Sequence, residues 1–410
     1  MKTLNIGLFG FGCVGQGLYD VLNQSLNDIG SIKKICVKHR EKKRTLPAEY
    51  FTYDKFDILN DDEVDTVVEL IDDYEEAYRI VKSALEKGKN VVTANKKMLA
   101  HHLPELQELS VSKGVSILYE ASACGSIPII RLLEEYFDNE PLQYIGGIFN
   151  GTTNYILTQT SLYGAGYKQA LKEAQEKGFA ESNPANDVEG WDALFKTTIL
   201  AYHALGVILD FNEVPRLGIT TLSAKETEFA ARREFRIRLL AYAGLSDEGY
   251  TAFVLPVFVN EQSPLFDVNH EYNAVVTEGK FTSRQFLKGK GAGGHPTGSA
   301  VLSDLSALRY DYKYEFKKKN VNTLPEDGSY LLRVYLRTSV DSVYAESFLE
   351  DKEEVLLDRK NKIIIGYIRY DELKKILPII REMQDFLALI GEPYEYKLNG
   401  IKSLEIKLNR

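Results

Sequence analysis

The sequence predicts an α/β protein of more than one domain. A doubly wound parallel sheet comes first, an α+β unit with an open sheet follows, and a smaller α+β module lies at the C-terminal end. Three observations predict this. Short apolar runs alternate with stretches of helical spacing up to about residue 119. Several helices and then several strands follow in place of that alternation. The chain has 410 residues, more than one domain of roughly 100–200 residues holds.

The run 4–9 (LNIGLF) reads as a buried strand ending at Gly10, and Leu18, Val21, Leu22, Leu26 and Ile29 place a helix over 16–29. Strands follow at 32–37, 65–70, 90–93 and 115–119, with helices at 75–86 and 103–113, the first of these closed by Gly88. Past about residue 140 come a strand at 144–149, helices at 153–162, 167–177, 188–206 and 223–243, and strands at 251–259, 273–278 and 283–288. A glycine-rich loop then leads into a helix at 298–310. The polar stretch 314–328 carries Pro325 and reads as a linker. Strands at 330–337, 341–347, 352–358 and 361–368, a helix at 370–389 and a strand at 402–408 complete the chain. The expected boundaries are 1–140, 141–312, a linker at 313–328 and 329–410, with helix 298–310 packing back on the first domain.

The net charge of −9 argues against nucleic acid or anionic membranes as partners. Cys13, Cys36 and Cys124 are odd in number and far apart, which disfavours a disulfide framework or a zinc site. The start MKTLNIGLFGFG does not read as a signal peptide, and no run of about 18 apolar residues reads as a membrane span. A reducing cytoplasm is the expected compartment.

Six stretches bear on chemistry. Gly10-Phe11-Gly12-Cys13-Val14-Gly15 follows a strand and opens a helix, the context of a dinucleotide fingerprint. Gly10 permits the turn, Gly12 lets the backbone approach a pyrophosphate, and Gly15 allows close helix–sheet packing. The second strand ends Cys36-Val37-Lys38-His39-Arg40 with no acid before Glu41. Lys38 and Arg40 therefore favour the 2′-phosphate of NADP over NAD, unless they are solvated loop charges. Thr93-Ala94-Asn95-Lys96-Lys97 follows a parallel strand, so Lys96 can reach a ligand there; a surface lysine pair is the plainer alternative. Asn150-Gly151-Thr152-Thr153-Asn154 places amides and hydroxyls at a helix start, suited to a carboxylate ligand or to ordinary capping. Asp192 and Lys196 are four apart on one helix face, the spacing of a site pair and of a common surface ion pair. Gly289 to Thr297 lacks the ending of a phosphate-binding P-loop. It suits close backbone approach, with His295 more readily structural than catalytic.

Taken together, GFGCVG, TANKK, YEASACGSIPII, FNGTTNYIL, GFAESNPANDVEGWDALFK and GKGAGGHPTGSAVLSDL resemble homoserine dehydrogenase over most of residues 1–310. The resemblance implies a Rossmann-type first domain, a substrate-binding, catalytic and dimerisation domain, and a homodimer. It implies reversible NAD(P)-dependent reduction of L-aspartate 4-semialdehyde to L-homoserine, on the route to threonine, methionine and isoleucine. By resemblance Lys196 is the proton donor, Lys96 stands beside nicotinamide and substrate, and Glu181 and Asp192 hold the substrate amino group. Gly151 and Thr152 join the substrate site; Phe11, Cys13, Val14 and Gly293 contact the cofactor. Glu120, Ala123, Gly125 and Ile127 match a site for a monovalent cation such as sodium. Asn183 and Ile71-Asp72-Asp73 depart from the family pattern. The C-terminal module stands where relatives carry an ACT domain, but Arg337-Thr338-Ser339-Val340-Asp341-Ser342 lacks the Asp-x-Pro-Gly-Val turn, so it reads as a degenerate ACT-like module. The competing readings are another amino-acid dehydrogenase of related architecture and a non-catalytic dinucleotide sensor.

Overall fold

The structure, a computed structural model, describes residues 2–318, 324–358 and 360–393. The elements run β1 Leu4–Phe9, α1 Cys13–Asn23, β2 Gly30–Cys36, β3 Phe51–Thr52, α2 Phe56–Leu59, β4 Thr66–Glu69, α3 Tyr74–Glu86, β5 Asn90–Thr93, α4 Lys96–Lys113, β6 Ile117–Leu118 and α5 Ile129–Arg131. They continue β7 Leu142–Ile148, α6 Gly151–Tyr163, α7 Tyr167–Glu176, α8 Ala185–Val188, α9 Trp191–Leu205, α10 Ala224–Arg232, β8 Arg236–Leu245, β9 Tyr250–Val259, β10 Tyr272–Gly279 and β11 Ser283–Lys290. Last come α11 Gly294–Leu308, β12 Leu331–Ser339, β13 Glu350–Leu357, β14 Asn361–Arg369, α12 Tyr370–Met383 and β15 Phe386–Ile390. The chain divides into two compact units. One comprises Met1–Pro141, Thr198–Gly206 and Gly289–Val321; the other comprises Leu142–Thr197, Val207–Lys288 and Asn322–Arg410.

The first unit holds a parallel sheet in the order β3-β2-β1-β4-β5-β6. This is the doubly wound order in which ligands collect outside the carboxyl ends of the strands. Its central strands β1, β4 and β5 are largely apolar and buried, because helices cover both faces of such a sheet, while β2 carries Lys33 and Lys34. Asp73 caps α3 by accepting from Glu75 and Glu76 amides, and Asn95 caps α4 by accepting from Met98. Helix α11 packs on α1 at glycine contacts: a Cβ at Gly17 would stand 2.2 Å from the Gly294 carbonyl oxygen.

The second unit is built on a mixed sheet, β11-β10-β7-β8-β9-β15-β12-β14-β13. Strands β12 to β15, expected as a module of their own, complete this sheet through the parallel pairing of β15 with β9. Leu373, Ile376, Leu377 and Ile380 of α12 are buried in the same core as Leu332, Val334, Ile364 and Leu389.

Several elements differ from the sequence expectation. The helix foreseen over 223–243 stops at Arg232, Glu234 takes a left-handed φ of 58°, and β8 follows. The helix over 370–389 likewise ends at Met383, with Gln384 at φ 56° before β15. Both strands lie inside the sheet and are buried on both faces, so they lack the alternation that marks a half-exposed strand. The strand expected at 341–347 is instead a 3₁₀ turn at Ala345–Phe348. The strand expected at 402–408 lies outside the described residues.

Candidate active site

In the first unit, the glycine turn joins β1 to α1. Gly10 has a φ of +94°, and a Cβ there would stand 2.4 Å from the Leu70 carbonyl oxygen, so only glycine fits. A Cβ at Gly15 would meet the Gly10 carbonyl oxygen at 2.5 Å. Gly12 differs: a Cβ there would meet nothing within 4 Å, and the α1 N-terminus it caps receives no side-chain hydrogen bond. Open space over uncapped amides is a cradle that fits a pyrophosphate. Cys13 is exposed, Val14 half-buried, and Phe11 is buried edge-on against Phe51. Gly293, at φ +119°, caps α11, whose first residue touches Cys13. A groove of about 310 Å³ lies beside Cys13, Gly17, Gly294 and His295.

Lys38 and Arg40 are exposed beyond β2, with the Arg40 guanidinium 4.5 Å from the Tyr53 ring centre. Lys96 is half-buried as the first residue of α4, at the carboxyl end of β5. The carboxyl of Glu69, at the end of β4, is fully buried and accepts from the Ile71 amide (2.7 Å) and the Thr93 hydroxyl (2.5 Å). Burial pushes it up to about 7.

Glu120, Ala123, Gly125 and Ile127 are buried, with Ser126 exposed among them. The Glu120 carboxyl turns to the amides of Ile130 and Arg131, leaving the backbone carbonyl as this residue's donor for a cation. Burial raises that carboxyl to about 7 as well. The carbonyls of Glu120 and Ile127 accept from Ala123 and Ile129 amides, but each carbonyl has a second lone pair. Carbonyl oxygens alone make a weak, uncharged donor set, a fit for a monovalent cation rather than a transition metal. Among the described residues no cluster of three or more His, Cys, Asp or Glu side chains forms a metal site.

In the second unit, the pair on α9 is not the surface ion pair its spacing allows. The Lys196 Nζ donates to Asp192 Oδ2 at 2.8 Å and to the Phe149 carbonyl at 2.7 Å, with both side chains only 7% exposed. Asn150 joins them: its Nδ2 donates to Asp192 Oδ2 (2.9 Å) and Asp187 Oδ1 (2.7 Å), while its Oδ1 caps α6 at Thr153. Asn273 donates to the same Phe149 carbonyl. An ammonium has three donors, and these bonds occupy two. Gly151 opens α6 against the Glu271 backbone, where a Cβ would stand 2.6 Å from a carbonyl oxygen. The Thr152 hydroxyl donates to the Phe179 carbonyl (2.6 Å), so of its donors only the amide remains for a carboxylate. Glu181 is exposed; Gln175 donates to its backbone carbonyl, and among the described residues its carboxylate joins no ion pair. The structure thus brings Lys196 and Asp192 together, and among the described residues no ion pair joins Glu181 to them. Sequence reasoning passed over Asn150 as a binding group and Glu69 altogether. The cap position of Asn150 was the available signal for the first.

Residues 10–120 match the family model for the NAD-binding domain of homoserine dehydrogenase, and residues 128–306 match the model for homoserine dehydrogenase itself. The chain is 38% identical to a homoserine dehydrogenase of Helicobacter pylori over 423 aligned positions, covering 97% of this chain and 100% of that one. A solved homoserine dehydrogenase from Thiobacillus denitrificans superposes with a TM-score of 0.85 at 28% identity, covering 96% of this chain and 99% of the other. A hyperthermophilic archaeal homoserine dehydrogenase mutant solved in complex with NADPH gives a TM-score of 0.66 at 26% identity, covering 77% and 100%.

Proposed function

This chain belongs to the homoserine dehydrogenase family, NAD(P)-dependent oxidoreductases acting on a CH–OH group, and on that premise we propose that Lys196 is the group that moves the proton. The buried ammonium of Lys196 carries the reading, with two donors fixed on Asp192 and Phe149 and a third left for the substrate oxygen. The nicotinamide, when bound, donates or accepts the hydride at the carbon that changes between aldehyde and alcohol. Toward the alcohol, the Lys196 N–H polarises the aldehyde oxygen and protonates it as negative charge develops. Toward the aldehyde, the neutral amine takes the hydroxyl proton. Asp192 steadies the ammonium, and Asn150 holds Asp192 in place.

The substrate amino group is assigned to Asp192 and Glu181, and its carboxylate to the amides of Gly151 and Thr152 at the α6 N-terminus. Because Glu181 is exposed, this assignment has it engage the ammonium once substrate arrives. Lys96 is assigned to the nicotinamide side of the substrate. Gly10, Phe11, Gly12, Cys13, Val14, Gly15 and Gly293 are assigned to the dinucleotide, and Lys38 and Arg40 to a 2′-phosphate. NADP is the preferred cofactor on that assignment, in keeping with two exposed cations and no acid before Glu41. A monovalent cation is assigned to the carbonyls of Glu120, Ala123, Gly125 and Ile127. The enzyme acts as a homodimer in the cytoplasm, in threonine, methionine and isoleucine synthesis.

Oxidation of NADPH and of NADH by the purified protein with L-aspartate 4-semialdehyde tests this reading. Turnover with a kcat/KM at least tenfold higher for NADPH is expected. No turnover with either cofactor would overturn it.

A further inference from the structure

A carboxyl in the core of a parallel sheet is an expensive way to fill space, since burial without compensation disfavours the charged form strongly. Glu69 is such a group, with no exposed surface at the last position of β4. Its neighbour in the register is Thr93, the last residue of β5. The two take part in a closed ring of hydrogen bonds. The Ile71 amide donates to Glu69 Oε1, and the Ile71 carbonyl accepts from Asn95 Nδ2 at 3.0 Å. The Asn95 amide donates to Thr93 Oγ1 at 3.0 Å, and the Thr93 hydroxyl donates to Glu69 Oε2. Asn95 also caps α4, and the next residue is Lys96. The ring therefore ties the rim after β4 to the turn after β5, two neighbouring edges of the crevice where such sheets bind ligands.

We infer that Glu69 is a positioning residue for the dehydrogenase reaction: its buried carboxyl locks the Thr93–Asn95 turn to the rim at Ile71 and so sets where Lys96 stands. The inference rests on the proposed role of Lys96 beside nicotinamide and substrate. Glu69 contacts neither ligand and acts only through the ring. Two acceptor oxygens on one short stem let it hold both rims at once, which no apolar residue of similar size does. Displacing a reacting group by about 1 Å is enough to cost on the order of 100-fold in rate.

The test uses the full chain and compares Glu69→Ala, Glu69→Gln, Thr93→Val and Lys96→Ala with the double variants Glu69→Ala/Lys96→Ala and Thr93→Val/Lys96→Ala. Glu69→Ala should lower kcat at least tenfold while the KM for aspartate semialdehyde stays within about twofold. Glu69→Gln, which keeps one acceptor, should recover most of the loss. In the Lys96→Ala background, Glu69→Ala should cost less than about threefold more, because the two act through one geometry. Equal losses in both backgrounds would reject the positioning role while leaving Lys96 in place. A wild-type kcat in Glu69→Ala would reject it outright. If Glu69→Ala does not fold, Thr93→Val decides: a lowered kcat that vanishes in the Lys96→Ala background supports the ring, and an unchanged kcat overturns it. A fully active Lys96→Ala variant would sink the role of Lys96 and the inference with it.

Discussion

Lys196 reaches back one turn of α9 to Asp192, Nζ to Oδ2 at 2.8 Å, with both side chains almost wholly buried. Removing one partner strands the other: a buried ion pair broken on one side costs about 3–5 kcal/mol. The chemistry loses more than stability does. Lys196→Ala and Asp192→Ala should each lower turnover at least 100-fold, the scale for losing a positioned proton donor. Steady-state kinetics on variants shown to be folded by circular dichroism checks this. Near-wild-type rates in either would remove that residue from the mechanism.

Asn150 serves two structures at once, capping α6 through Oδ1 and holding Asp187 and Asp192 through Nδ2. Asn150→Asp keeps the cap but replaces the donor with a like charge beside Asp192. It should leave the urea midpoint near wild type or modestly lowered and cut kcat tenfold or more. Asn150→Ala should lose both, with a stability loss of about 1–2 kcal/mol from the cap. Equal kinetic effects from the two variants together with equal midpoints would deny the double role.

Two glycines separate cofactor binding from folding. A Cβ at Gly12 enters open space, whereas one at Gly17 meets the Gly294 backbone at 2.2 Å. Gly12→Ala should raise the NADPH Kd at least tenfold, measured by fluorescence titration, with little change in Tm. Gly17→Ala should lower Tm by several degrees, the consequence of an overpacked contact costing about 1–3 kcal/mol. The reverse pattern would move the pyrophosphate away from Gly12.

How much of this was legible in the sequence depended on whether burial leaves a periodic trace. Gly10, Gly12 and Gly15 betray themselves because strand, turn and helix follow in a fixed order, and the β3-β2-β1-β4-β5-β6 sheet agrees with that reading. The Asp192–Lys196 spacing showed one shared face, but spacing does not say whether that face is wet. Strands β8 and β15 were hidden because Leu- and Ala-rich runs buried on both faces look helical, and the breaks fall at Glu234 and Gln384 rather than at glycines. Glu69 went unnoticed within the strand at 65–70, since the hydrogen bonds that hold it come from residues two and twenty-four positions away.

Stability should fall as pH rises toward neutrality. Burial lifts the carboxyls of Glu69 and Glu120 from 4.5 to about 7. Below 4.5 both folded and unfolded chains hold these protons. Between 4.5 and about 7 the unfolded chain releases them while the folded chain keeps them, so each group weakens folding by about 1.4 kcal/mol per pH unit. Above about 7 the loss is complete. Carboxylates held low by lysine, such as Glu76 and Glu105, titrate below this window and do not offset it, whereas burial holds His101 and His102 below 6.5, so these two oppose the fall up to about that pH. Urea midpoints should drop from about pH 5 to pH 7.5, and Glu69→Gln should flatten part of that slope. An identical slope in the variant would mean that Glu69 titrates normally.

Threonine should be a poor effector of this enzyme through the turn after β12. Arg337 precedes that turn, but its guanidinium is already held, Nε on Glu226 Oε1 at 2.7 Å and Nη2 on the Thr221 carbonyl at 2.8 Å. The Ser342 carbonyl at the other end accepts from Lys362 Nζ. The segment also carries no Asp-x-Pro-Gly-Val turn. An amino-acid ligand would have to break a largely buried Arg337–Glu226 pair to reach a cation there, and breaking such a pair costs about 3–5 kcal/mol. Millimolar threonine should therefore change NADPH oxidation by less than twofold. Strong inhibition abolished by Arg337→Ala would show that the ligand does displace Glu226.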